Sequence, residues 1–179
     1  AKSNWQTSSR GEVFLRDMTG NVEGNIINGV SGVIAFDSLM PLTLKRQRLA
    51  VGGVNVGLPL TAGIVVVSLD AKNNFTLHEA DWTLAGGKIT STPFSLNLND
   101  LTVENITLTA KDLQLSELFK IAPMDGLTAD GTVDGTLPLR LQSGEISITN
   151  GVLESKGSGN IRYSPQDMPA FMRDSSQKQ

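Results

Sequence analysis

Apolar and polar residues alternate one for one in stretch after stretch of this 179-residue chain. Leu137-Pro138-Leu139-Arg140-Leu141-Gln142 is the plainest case, and Ile146-Ser147-Ile148-Thr149 follows it. Phe94-Ser95-Leu96-Asn97-Leu98-Asn99 and Ile106-Thr107-Leu108-Thr109 come earlier. Successive side chains of a strand point to opposite faces. Each stretch therefore puts aliphatic groups on one face and Ser, Thr, Asn or charge on the other. Repeated over most of the chain, the pattern demands a long sheet with one apolar face. What covers that face is the functional question.

The length fits one domain or two small ones. A net charge of -3, with 18% charged residues and no basic patch, argues against nucleic acid as a partner. The densest cationic cluster, Lys45-Arg46-Gln47-Arg48, reads as a solvated turn, with a phosphate or lipid-headgroup contact as the alternative. There is no cysteine, hence no disulfide and no thiol chemistry. No apolar run approaches the ~20 residues of a membrane helix. The longest, Ala62 to Val67, is β-branched and strand-like. The chain opens at Ala1 in polar sequence and reads as a mature or excised fragment of a longer protein. Aromatic residues make up 5%, so the apolar side is Leu, Ile and Val, a smooth lining rather than an interlocked aromatic core.

Strands are expected at residues 12–17, 32–37, 41–44, 47–51, 58–69, 75–78, 88–98 and 101–110. Shorter ones follow at 127–133, 135–142, 145–149, 152–155 and 160–163. Gly52-Gly53 and Gly86-Gly87 are turn signals. One helix interrupts the series at residues 113–121, with Asp112 as its cap, Pro123 as its stop, and Leu115, Leu118 and Phe119 facing inward as a lid.

The residues offer little for catalysis. His78 is the single histidine and falls on the polar side of its strand as a solvated residue. A Ser–His–Asp arrangement lacks the Gly-x-Ser-x-Gly elbow that would hold the serine. Asp125, Asp130 and Asp134 each precede a glycine, but lack the ligand spacing of a calcium loop and read as turn residues. No catalytic, metal or cofactor site is expected, and the chain is not read as an enzyme.

The run Gly126-Leu127-Thr128-Ala129-Asp130-Gly131-Thr132-Val133-Asp134-Gly135-Thr136-Leu137-Pro138-Leu139-Arg140-Leu141 is followed by Gly144-Glu145-Ile146-Ser147-Ile148, by Gly151-Val152-Leu153 and by Gly159-Asn160-Ile161-Arg162-Tyr163. In these segments the chain resembles the C-terminal domain of the YdbH family. That family is a branch of the AsmA-like proteins of Gram-negative envelopes and is related to TamB and YhdP. The resemblance implies a long curved antiparallel or solenoid-like sheet with an apolar concave groove. It implies an inner-to-outer membrane bridge that shields phospholipid acyl chains across the periplasm, in a parent protein anchored in the inner membrane. It also implies a small outer-membrane lipoprotein (YnbE-like) that extends the sheet by strand addition at the C-terminal edge. A dicarboxylate-transport label attached to the same domain finds no convergent cations here.

The expected organisation is an AsmA-like β-groove domain over residues 1–165 and a polar, flexible tail over 166–179. Leu96, Leu98, Leu137, Leu139, Leu141, Ile146 and Ile148 are the candidates for the groove floor. Gly159, Ile161 and Tyr163 are the candidates for a partner-strand edge, unless the tail after Pro165 covers that edge. The alternative to a lipid-binding groove is a closed structural β-sandwich serving envelope assembly or adhesion.

Overall fold

A computed structural model describes residues 9–22, 25–55, 58–142 and 145–164. The tail expected over residues 166–179 lies outside the described residues. The chain is mainly β. Its elements are β1 (Gly11–Val22), β2 (Asn25–Leu39), β3 (Leu42–Asn55), β4 (Pro59–Leu69), β5 (Asn74–Leu84), β6 (Gly87–Ser91), β7 (Phe94–Asn97) and β8 (Val103–Gln114). Then come α1 (Leu115–Ile121), β9 (Leu127–Asp130), β10 (Thr132–Gln142), β11 (Glu145–Ile148), β12 (Val152–Ser155) and β13 (Asn160–Tyr163).

Eleven strands form one open antiparallel sheet in the order β1-β2-β3-β4-β5-β6-β8-β10-β11. β7 continues the line of β6 along β5, and β12 shares the outer side of β10 with β11. β9 and β13 make a separate two-stranded sheet. The open margins at β1 and at β11/β12 do not pair with each other, so among the described residues the sheet is not closed into a barrel.

Local chemistry explains the connections. β5 and β6 are joined by Ala85-Gly86, both at positive φ (48° and 74°), the geometry that matches the twist of a two-residue hairpin. The β4–β5 turn is fixed by Asp70, whose carboxylate accepts bonds from the Lys72 and Asn74 backbone N–H groups and from the Asn74 side chain.

Other expectations are corrected. Gly52-Gly53 is no turn; both lie inside β3. There β2 and β3 approach closely, and a Cβ on Gly29 would fall 2.8 Å from the Gly52 Cα. Lys45 to Arg48 is strand, not turn. A register shift follows Leu44, and the Gln47 Oε1 accepts from the Ala35 N–H (2.7 Å) where the β2–β3 ladder is interrupted. Lys45 pairs with Asp37, and Arg46 with Glu79. The 88–98 strand is broken at Thr92-Pro93, since proline cannot donate to the ladder. The helix begins at Leu115, with Gln114 as its N-cap. Asp112 caps nothing; it sits in β8 at φ 56°, an irregularity in the strand.

Val51, Val66, Val67, Leu69, Ala80 and Ile106 are buried, and Leu60, Leu84, Ile89, Ala110, Leu113 and Val133 form a buried apolar cluster. From α1, Leu115, Leu118 and Ile121 pack against it, while Phe119 is half-buried. The Gln114 N–H donates to the Ala85 carbonyl and the Leu115 N–H to the Gly131 carbonyl. α1 thus closes the sheet at the end that carries the Ala85-Gly86 turn. Among the described residues, no helix is long and apolar enough to cross a membrane.

Candidate functional site

Direct cross-strand neighbours share a face, so the register traces each face across the sheet. One row runs Leu15–Gly32–Leu49–Val65–Ala80–Ser91–Leu108–Leu137, from β1 to β10. It is apolar or glycine throughout except for Ser91. At about 4.8 Å per strand it is about 34 Å long. A second row on the same face runs Phe36–Leu44–Leu69–Phe75–Leu96. The opposite face shows the other half of the alternation: Ser31–Ala50–Ile64–Asp81–Thr90–Thr109–Thr136–Val152. The alternation seen in single stretches of sequence is thus carried across eight strands along these rows. At the β4 irregularity between Thr61 and Ile64, where Ala62 has a positive φ, the phase turns over and brings Leu60 and Val54 onto the apolar face.

On the apolar face lies a hollow of about 230 Å³. Val54, Leu60, Leu77, Trp82 and Ile89 line it from β3, β4, β5 and β6. Ile106 and Leu108 of β8, and Leu139 and Leu141 of β10, line it from the other side, with Phe94 of β7. Ser91 and Arg140 are its polar contributors. Its volume is below the ~300–1,000 Å³ of a pocket that encloses a drug-sized ligand. It therefore suits part of a flexible apolar chain, not a compact whole molecule.

The groove candidates fall as follows. Leu139 and Leu141 line the hollow. Leu137 is half-buried in the first row and Leu96 half-buried in the second. Ile148 lies opposite Leu139 and is 55% exposed. Ile146 lies opposite Leu141 by backbone register, and its side chain lies outside the described residues. Leu98 follows β7 in a turn, 46% exposed, with its N–H on the Asn73 carbonyl. Leu96, Leu98, Leu139 and Leu141 belong to the strand ends remote from α1. The residues that complete the hollow, Val54, Leu60, Ile89 and above all Trp82, were not singled out from sequence. They meet only because β3 to β6 are folded beside β8 and β10. The available signal was Trp82 alternating in phase with Leu84.

The edge candidates lie in the small sheet. Ile161 pairs with Ala129 and Tyr163 with Leu127. The N–H groups of Asn160 and Ser164 bond toward β9, to Asp130 Oδ1 and the Gly126 carbonyl. By the strand's alternation, the Ile161 and Tyr163 backbone groups between them point away from β9. Both side chains are exposed (72% and 66%), and among the described residues no strand pairs there. Gly159 packs against Gly131, and a Cβ on it would run into the Asp130 carbonyl.

The polar residues considered for chemistry serve the scaffold. His78 is half-buried rather than solvated, with its Nε2 2.8 Å from Ser68 Oγ. Asp130 accepts from Asn160, and Asp134 accepts from the Asp112 N–H. Lys156 bridges Asp112 and Asp134; the hydrogen bond and charge of Asp112, then the charge of Asp134, raise its pKa. No group of three metal-ligating side chains is found among the described residues.

A family model described as YdbH-like, intermembrane phospholipid transport protein YdbH, matches residues 1–179. No curated protein and no solved structure matches the chain.

Proposed function

This chain belongs to the YdbH-like family of intermembrane phospholipid transport proteins, and on that premise we propose that its apolar sheet face receives phospholipid acyl chains during transport across the periplasm. One observation carries the reading: the register-linked apolar row from Leu15 to Leu137 spans eight strands without a charged residue. Each methylene kept from water is worth about 0.8 kcal/mol. A lane that offers this return uniformly along its length holds a chain without trapping it at one point. Headgroups stay in solvent beyond the margin, and the Ser- and Thr-bearing opposite face keeps the sheet wetted.

In this reading the Leu96, Leu98, Leu137, Leu139, Leu141, Ile146 and Ile148 side is where chains enter, because α1 closes the other end. The outward backbone groups of Ile161 and Tyr163 are an acceptor for strand addition. A YnbE-like outer-membrane lipoprotein, the partner that the family resemblance implies, would extend the small β9–β13 sheet from there. The parent protein would anchor this periplasmic module in the inner membrane.

Trp82 supplies the test. The chain has two tryptophans, so in a Trp5→Phe background Trp82 reports alone from the wall of the hollow. Phospholipid brominated on its acyl chains should quench its fluorescence, and Leu139→Asp should abolish the quenching. Emission indifferent to brominated chains would refute the reading.

A further inference from the structure

We propose that Gly63 and Trp82 together set the bore of the apolar hollow, so that it admits slender acyl chains and turns away bulky ring systems. This deepens the lipid-face reading and rests on it.

Gly63 is buried in β4, among Ile64, Val65, Val66 and Val67. A Cβ built there would clash with the six-membered ring of Trp82, closest to Cζ3, then Cε3, and 2.6 Å from Cη2. The backbone does not call for glycine at this position. The left-handed torsion of the adjoining bulge belongs to Ala62 (φ 48°), and Gly63 itself lies outside that region. The glycine is therefore there for space. It leaves a notch in the sheet, and the indole occupies it.

Trp82 is half-buried and lines the hollow, opposite Ile89 across the β5–β6 ladder. The sheet lies behind its ring and the hollow lies in front. With the notch filled, the ring has one direction left, into the hollow. Bulges next to a site commonly re-aim the side chains around it, and the β4–β5 register shift between Thr61 and Ile64 brackets this pair. Ile89 is 1% exposed and cannot retreat. The seat of one side chain thus fixes the clearance of a hollow of about 230 Å³.

The experiment compares wild type, Gly63→Ala, Trp82→Leu and the double variant for binding of two phospholipids. Both carry a headgroup spin label. One has ordinary acyl chains, and the other bears a pyrene on its chain. Wild type should bind the first and exclude the second. Gly63→Ala should lose the ordinary lipid by at least about tenfold, the scale at which a pocket resolves one misplaced methylene. Trp82→Leu and the double variant should bind both. Circular dichroism and the thermal midpoint establish that each variant is folded. Should Gly63→Ala fail to fold, the pyrene selectivity of Trp82→Leu decides. Wild-type affinity in folded Gly63→Ala would overturn the inference and leave the lipid-face reading intact. So would a Trp82→Leu protein that still excludes pyrene. A wild type that binds neither lipid would overturn both.

Discussion

Truncating Ile89 and, separately, Leu139 to alanine measures whether the apolar face is sealed at one end and accessible at the other. Ile89 is 1% exposed within the cluster under α1. Ile→Ala removes three carbons, about 2.4 kcal/mol of transfer free energy at ~0.8 each. Ile89 also borders the hollow, but its side chain is fully buried, so the whole transfer term applies and the total falls within the ~2–5 kcal/mol range for buried truncations. Leu139 also loses three carbons, but it is half-buried on the wall of the hollow. Roughly half the transfer term applies, about 1.2 kcal/mol, and the space vacated merges with a hollow that already exists. In urea, at a slope of about 2 kcal/mol per molar, Ile89→Ala should lower the midpoint by more than about 1 M and Leu139→Ala by about half a molar. The assay is equilibrium unfolding of delipidated protein, followed by circular dichroism. If Leu139→Ala costs as much as Ile89→Ala, then Leu139 is packed as tightly as the core, and the distinction between a sealed and an accessible end is wrong.

Two further outcomes are expected. Ile161→Pro removes a backbone donor that points away from β9, so it should abolish capture of an added strand, read by pull-down of the lipoprotein partner, while the thermal midpoint stays near wild type; retained capture would reject that edge. The Asp70 carboxyl is held below the ordinary aspartate value, first by the Asn74 side chain, then by the Asn74 and Lys72 backbone N–H groups and the Lys72 charge. A lowered native pKa means that Asp70 contributes its stability above about pH 4 and loses it as pH falls through the lowered value. Asp70→Asn should therefore flatten the acid limb of hydrogen-exchange protection in the β4–β5 turn, and an unchanged limb would count against this anchor.

Much of the fold is legible in the residues because period-2 alternation is a local signal, and its two faces stay distinct along the long rows, whereas the phase change at Ala62 in β4 is not written in the alternation. The failures share a cause. A glycine pair such as Gly52-Gly53 permits a turn, yet its use here is contact with Gly29 on another strand, which no local pattern reports. Asp112 has the chemistry of a helix cap, but its N–H bonds to Asp134, 22 residues away, and the helix starts later. Lys45 to Arg48 resembled a turn because its charges hide the alternation that Gln47 restores. The hollow was half legible. Leu139 and Leu141 belong to a clear stretch, whereas Trp82, Leu60 and Val54 reach it through strand order. Gly63 gave no signal at all, since its role appears only when the ring of Trp82 is placed over it.

The two borders of the large sheet are unlike. β1 offers a twelve-residue margin, whereas the far side of β10 is taken up by β11 and β12, four residues each, with a gap between them. Such stubs give an incoming chain little to zip along. Polymerisation by head-to-tail stacking needs two matching borders, and fibres grow only where the contact repeats without closing. A ribbon blunt on one flank is lengthened more readily from the other, so the borders of the described residues are poorly matched for endless stacking of copies.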